Sequence, residues 1–343
     1  MAHGAGAHEP LSLDSTSALD IVAAAVRAPS IHNTQPWRWR LDGGDLLVLA
    51  DRSRQLTVAD PDGHSMLISC GAALTLTELA LQEQGWRVET VRWPDPSDAD
   101  VLARIHLAGR EEPTDDVRAA FGAALSRHSD RRPFAAEVVS SETIEQLRDA
   151  SAAGSARVDF PLQEDQRINL AVAVSWADGV GRNDDAYIAE MNKWLRDPEV
   201  NAADGIPAGA VPHVAPGHPR RTDVPVRDFE LGVTGRQMIE LDVDERPLIA
   251  VVLTDSDSAA DHLLAGESMM RLMIKAEQLG LSTCALSQAV DLAGFRTRVQ
   301  GLMGWIGYPQ MMLRIGYPSG PAEELAFTPR RDPADVLDVS PAA

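Results

Sequence analysis

The stretch Arg27-Ala28-Pro29-Ser30-Ile31-His32-Asn33-Thr34-Gln35-Pro36-Trp37 leaves a helix end, turns through short polar side chains between two prolines, and enters a strand. Each proline fixes φ and biases the residue before it toward extended backbone, so the corner is rigid. Hydroxyl and amide side chains on such a corner suit a planar heterocycle that needs several directed hydrogen bonds. The same spacing also describes an Asx-capped loop whose polar groups satisfy only their own backbone. Spacing alone leaves both readings open.

Working outward, apolar periodicity predicts a helix over 17–27, with Asp14 to Ser17 offering caps. Strands at 37–41 and 46–50 flank Asp42-Gly43-Gly44, a hairpin signal. A long apolar helix is expected over 64–84, stopping at Gly85, then strands at 87–93 and 101–107. The pattern breaks over 108–116 into Gly, Glu, Pro and Asp, and two halves join there. Beyond lie helices at 117–127 and 141–153, a strand at 156–160 and a helical stretch over 163–196. Residues 201–228 are rich in Pro, Gly and Ala without a period, as in functional lids or disordered segments. A buried strand at 246–254, a helix at 266–279 ending at Gly280, and a strand at 311–317 close the pattern. The two halves echo each other. Gly71 and Gly85 bracket one apolar helix, Gly266 and Gly280 another of the same span, and the end Arg27-Ala28-Pro29-Ser30 is echoed by Arg127-His128-Ser129.

The totals bound the function. Of 343 residues 44% are apolar, enough for a sizeable core, and a net charge of -20 argues against nucleic acid or an anionic membrane as partner. No long uninterrupted apolar window predicts a membrane span, and the first ten residues lack the basic and apolar regions of a signal peptide. Cys70 and Cys284 read as buried thiols in a reduced compartment, so a cytoplasmic location is expected. The nine histidines show no metal-ligand spacing; His213 and His218 share a loop without a carboxylate pattern, and no metal site is expected. Only Lys193 and Lys275 are lysines, so a bound phosphate would be gripped by arginine forks.

Such a grip is offered by Arg127-His128-Ser129-Asp130-Arg131-Arg132-Pro133-Phe134, arginines around a hydroxyl at a helix end. Arg330-Arg331 after Pro329 is a second basic cluster. A solvated turn and a charged tail are the plain alternatives for these two.

Together the segments resemble the FMN-dependent nitroreductase family. Ser30-x-x-Asn33-x-Gln35-Pro36-Trp37 matches that family's Ser-x-x-Asn-x-Gln-Pro-Trp motif, and Arg127-His128-Ser129 with Arg131 is similar to its Arg-His-Ser-x-Lys phosphate motif. The run from Gly280 to Ser287 and Gln288 looks like the turn whose backbone lies against the flavin N5 edge, and Pro329-Arg330-Arg331 resembles the C-terminal phosphate clamp. The motif order departs from the usual one and supplies parts for one complete site, which resembles the actinobacterial, dormancy-associated Acg subgroup of single-chain pseudo-dimers. The resemblance implies an α+β, nitroreductase-like fold of two tandem halves, each a mainly antiparallel sheet flanked by helices. Expected units are a flexible N-terminus (1–16), a first half (17–112), a second half (113–332) with a lid at about 201–228, and a loose tail (333–343). It implies FMN held by Pro29, Ser30, Asn33, Gln35, Arg127, His128, Ser129, Arg131, Ser287, Gln288, Arg330 and Arg331, with no side chain named as catalytic. NAD(P)H would be the reductant and a nitroaromatic or quinone the acceptor; the alternative is a lidded protein that stores or sequesters FMN. Further pairing of the pseudo-dimer stays open.

Overall fold

The computed structural model describes residues 11–196, 202–213, 222–224, 237–238, 245–321, 325 and 328–339. In chain order the first elements are α1 (Ser15–Ala25), β1 (Trp37–Asp42), β2 (Asp45–Ala50), α2 (His64–Glu83), β3 (Trp86–Arg92) and β4 (Val101–Arg110). Then come α3 (Asp115–Ser126), α4 (Ser141–Ala150), β5 (Arg157–Asp159), α5 (Glu164–Arg182), α6 (Asp185–Trp194) and the short strands β6 (Leu195–Arg196), β7 (Ile206–Pro207), β8 (Pro212–His213) and β9 (Gln237–Met238). The last are β10 (Leu248–Thr254), α7 (Ala259–Gln278), β11 (Ser282–Ala285), α8 (Ala293–Met303), β12 (Tyr308–Gly316), α9 (Pro333–Val336) and β13 (Leu337–Val339).

Two main sheets flank a helical layer, an α+β arrangement. The first runs β13-β1-β2-β4-β3 and the second β11-β12-β10-β5. The β1–β2 hairpin sets Trp39 opposite Val48, and Gly43 and Gly44 carry the positive φ (61° and 91°) that its tight turn requires. In the second sheet β10 is buried at every position, which is why it reads as an unbroken apolar run. Helix α2 lies against the first sheet and α7 against the second, and the two helices pack on each other. Their crossing explains the glycine echo. A Cβ on Gly71 would stand 2.1 Å from the Leu263 carbonyl oxygen, and one on Gly266 would stand 2.0 Å from that of Ile68. Each glycine thus lets its helix seat against a carbonyl three residues before the other glycine, a two-fold relation at the molecule's centre. By length and composition α2 could cross a membrane, yet 94% of its apolar window is buried inside the protein. One apolar cluster continues from α1 and the first sheet through both helices into β10 and β12.

Several boundaries differ from expectation. The tail expected to be loose from 333 forms α9 and β13 instead, with β13 pairing parallel to β1 (Leu337 opposite Trp39) and Val336 fully buried. Three paired residues carry no periodicity, so nothing local announces them. Within the expected flexible N-terminus, residues 1–10 lie outside the described ones, but Leu13 is buried and Asp14 caps α1 by accepting from the Ser17 N–H. Helix α7 starts at Ala259, capped by Ser258, so Gly266 is a mid-helix contact point and not a boundary. The helical stretch over 163–196 is broken between α5 and α6, where Asp184 accepts from the Ala186 and Tyr187 N–H groups and starts a new helix. Of the segment expected to form a lid, 202–213 and 222–224 are described; the rest of 201–228 lies outside the described residues.

Candidate functional site

The corner that follows α1 is held in an unusual backbone. His32, Asn33 and Gln35 all take positive φ (47°, 55° and 51°), a region that costs non-glycine residues about 1–3 kcal/mol each. Its neighbours over-determine it. Ser30 Oγ accepts from the Gln35 N–H (3.0 Å), and Ser69 Oγ of α2 accepts from the Ile31 N–H (3.2 Å). The Cys70 thiol, whose pKa burial pushes well above the usual value, donates to the Pro36 carbonyl. The amides tie down chain from elsewhere. Asn33 Nδ2 donates to the carbonyls of Gly205 (2.9 Å) and Pro329 (3.0 Å), and Gln35 Nε2 donates to that of Ala203 (2.8 Å). Gln35 Oε1 accepts from the Arg331 N–H (2.9 Å). The amides do satisfy backbone, yet not only their own as the capped-loop reading expects: they hold residues 203–205 and the chain at 329–331.

Beside the corner opens a basic cleft walled by Arg27, Pro29, Ser30, His32, Asn33, Arg127, His128, Ser129, Arg131 and Arg330. Arg127 terminates α3 and donates to the Arg27 carbonyl (2.7 Å), and Arg330 Nη2 reaches the same oxygen (3.3 Å). Among the described residues neither Arg127 nor Arg330 has a carboxylate partner, and the Nε of each is buried without a hydrogen-bond acceptor. Burial, and after it the facing guanidinium groups, depress Arg127 to about 10 and Arg330 to about 9. Buried like charges are costly unless a counter-charge arrives, so this cradle fits an anion with several acceptor oxygens.

The cleft continues into an inner chamber that shares Pro29, Ser30, His32, Ser129 and Arg131 with it. Ser65, Ile68 and Ser69 of α2, Met269 of α7, Met311 of β12, and Cys284, Ala285 and Ser287 form its other walls, and Ile206 reaches both spaces. The strand β11 is set against the arginine turn by the Asp130 N–H, which donates to the Thr283 carbonyl (2.9 Å), while Asp130 also ion-pairs with Arg132. An anion cradle opening into a mostly apolar chamber with hydroxyl edges fits a phosphorylated planar ring such as FMN.

Nine of the twelve residues expected at the site meet at this cavity: Pro29, Ser30, Asn33, Arg127, His128, Ser129, Arg131, Ser287 and Arg330. Three do not. Gln35 is fully buried behind the corner, and Arg331 turns to the Gln35 carbonyl and to Asp51 (3.5 Å), where burial lowers its pKa. Gln288 points away into a separate pocket wall between α5 and α8. Sequence reading missed Arg27 as a wall residue, although it stands in the quoted stretch. It also missed Ser65 and Ser69, hydroxyls one helical turn apart in the largely apolar first half of α2, a signal that was there to use.

No family model matches the chain. A Mycobacterium tuberculosis protein with the provisional name NAD(P)H nitroreductase is 32% identical over 327 residues, spanning 95% of this chain and 92% of that one. Another, provisionally named NAD(P)H nitroreductase acg, is 31% identical over 331 residues, spanning 95% and 98%. Among solved structures, a nitroreductase with bound FMN from Desulfitobacterium hafniense matches at a TM-score of 0.37 and 14% identity, over 62% of this chain and 93% of that one. The assignment rests on the two relatives and their near-complete coverage: the chain belongs to the nitroreductase family, in its Acg-like branch.

Proposed function

We propose that the chain binds one FMN between its two halves (17–112 and 113–332) and uses NAD(P)H to reduce nitroaromatics or quinones by two electrons. The observation that carries this is the cluster of Arg27, Arg127 and Arg330, in which the buried Nε–H groups of Arg127 and Arg330 lack an acceptor, beside a cavity that continues into a mostly apolar chamber. Both mycobacterial relatives carry NAD(P)H nitroreductase in their names, which agrees with the reading.

In this reading Arg127 and Arg330 hold the phosphate as charge-assisted donors, with the Ser129 hydroxyl and Arg131 beside them. Ile68 and Met269 exclude water from the chamber and fix the plane of the ring, and the hydroxyls of Ser65, Ser69 and Ser287 orient its polar edge. The bound flavin supplies hydride acceptance and donation; the protein supplies position and electrostatics. Asn33 and Gln35 act indirectly, holding 203–205 and 329–331 so that Ile206 and Arg330 stay at the cavity.

That same tie favours a second reading, an FMN store. A roof pinned by two buried amides can keep a nicotinamide out. Stopped-flow mixing of the FMN-loaded protein with NADPH or NADH separates the two: fast loss of flavin absorbance supports the reductase, and reduction by dithionite alone supports storage. A purified chain that takes up no FMN removes both.

A further inference from the structure

The inner chamber has a back wall, and a second pocket lies behind it. Ser65 stands on the chamber side, while Asp291 lines the outer pocket with Val58, Ala177, Leu292 and Phe295. The two meet inside the wall: Ser65 Oγ donates to Asp291 Oδ1 at 3.5 Å, with the residues only 1% and 5% exposed. Next to them Asp60 accepts from the N–H groups of Ser65 (2.9 Å) and Met66 (2.8 Å). Burial raises the Asp60 carboxyl to about 7, with the charge of Asp291 adding to the rise against those N–H groups and Arg296. Arg296 of α8 donates to the Asp291 carbonyl and pairs with Asp257, which also holds His262 beside His64. Asp178, Arg182 and Asp184 face Asp291 across the outer pocket.

The reductase reading, on which this inference rests, needs a proton delivered under the roof. A nitro group reduced by NAD(P)H takes two electrons and one hydrogen as hydride; one N–O bond breaks and its oxygen leaves as water. That water needs one more proton, and quinone reduction to quinol needs one likewise. Among the described residues no carboxylate lines the inner chamber. We propose that Asp291 and Ser65 form a proton path through the back wall, linking the outer pocket to the inner chamber. A proton that reaches the Asp291 carboxylate from the outer pocket passes on to Ser65 Oγ as that hydroxyl releases its own into the chamber, which leaves the carboxylate and the hydroxyl as they began. Asp60 keeps a titrating carboxyl beside the relay near neutral pH.

The test uses FMN-loaded protein reduced by light with EDTA as electron donor, so that no nicotinamide is needed, and follows proton uptake with a pH-indicator dye. Asp291→Asn and Ser65→Ala should each slow uptake by about tenfold or more, and Ser65→Thr should restore it. Asp291→Asn should leave FMN affinity unchanged, and should raise the solvent deuterium isotope effect on acceptor reduction. Uptake as fast as wild type in both variants overturns the path, as does photoreduction of the wild type without proton uptake. If Ser65→Ala folds poorly, Asp291→Asn against Ser65→Thr decides. Fast uptake in a wild type that NADPH cannot reduce removes the reductase reading and leaves the path standing.

Discussion

The crossing of α2 and α7 and the cleft beside α3 are built on opposite terms. At the crossing, a glycine from each helix meets the other's backbone, the surroundings are apolar, and helix propensity and packing ask for the same arrangement. At the corner and cleft, three non-glycine residues sit at positive φ, and among the described residues the neighbouring guanidinium groups of Arg127 and Arg330 have no carboxylate partner. Strain and unbalanced charge of that kind persist only where firm structure surrounds them. Here the firm part is α2 itself, whose Ser69 and Cys70 hold the corner while Gly71 seats the helix on α7. Stability and ligand affinity should therefore respond to different residues only a few positions apart.

The largest effect is expected at the crossing. Gly71→Ala puts a methyl 2.1 Å from a backbone oxygen, which no rotamer change relieves, so the helices must part. A loss of about 3 kcal/mol or more in urea denaturation is expected, and the same for Gly266→Ala. Either variant melting like the wild type would break the contrast, because the crossing would then not be the rigid partner.

A smaller effect, of a different kind, is expected in the cleft. Arg330→Glu should weaken FMN binding by about 100-fold or more in a fluorescence titration, since it removes charge-assisted donors and sets a repulsive charge beside the phosphate. The flavin-free chain should melt no lower than wild type, because like-charge repulsion with Arg127 and Arg27 is relieved. Arg331→Glu should do the reverse, lowering the melting temperature through lost contacts to Asp51 and Gln35 while sparing most of the affinity. If Arg331→Glu proves the more damaging to FMN binding, the division between the two adjacent arginines is wrong.

That division also marks where sequence reading stops. The Asp42-Gly43-Gly44 hairpin and the proline-locked corner are legible because turn chemistry is local, and the arginine turn is legible because its charges adjoin. Which of Arg330 and Arg331 faces the cavity depends on how Gln35, about 300 positions away, grips the chain, and no local pattern encodes that. Gln288 follows the same rule: Ser287 faces the chamber, and its neighbour turns to the other side. Gly266 was misread as a helix boundary because glycine usually ends helices, whereas close approach of two backbones uses the same residue in mid-helix.

The gentlest probe is pH, and in the cleft it acts on stability and on affinity with opposite sign. Arg330 and Arg127 are depressed from the ordinary arginine value to about 9 and about 10 by burial and mutual repulsion. The unfolded chain keeps these guanidinium protons above those values while the flavin-free fold sheds them. In that window the unfolded state binds more protons, so the stability of the flavin-free chain should rise with pH from about 9 upward, as far as these groups contribute. FMN binding should move the other way, because a neutral guanidine no longer offsets the phosphate charge: the dissociation constant should rise by up to about tenfold between pH 8 and 10. Riboflavin carries the same ring without phosphate, so its affinity isolates any titration of the ring itself. A fall in FMN affinity that riboflavin matches would place the effect in the inner chamber and leave the arginine cradle without its anion. A fall confined to FMN, with a rising melting temperature in the flavin-free chain, would tie both signs to the same buried pair.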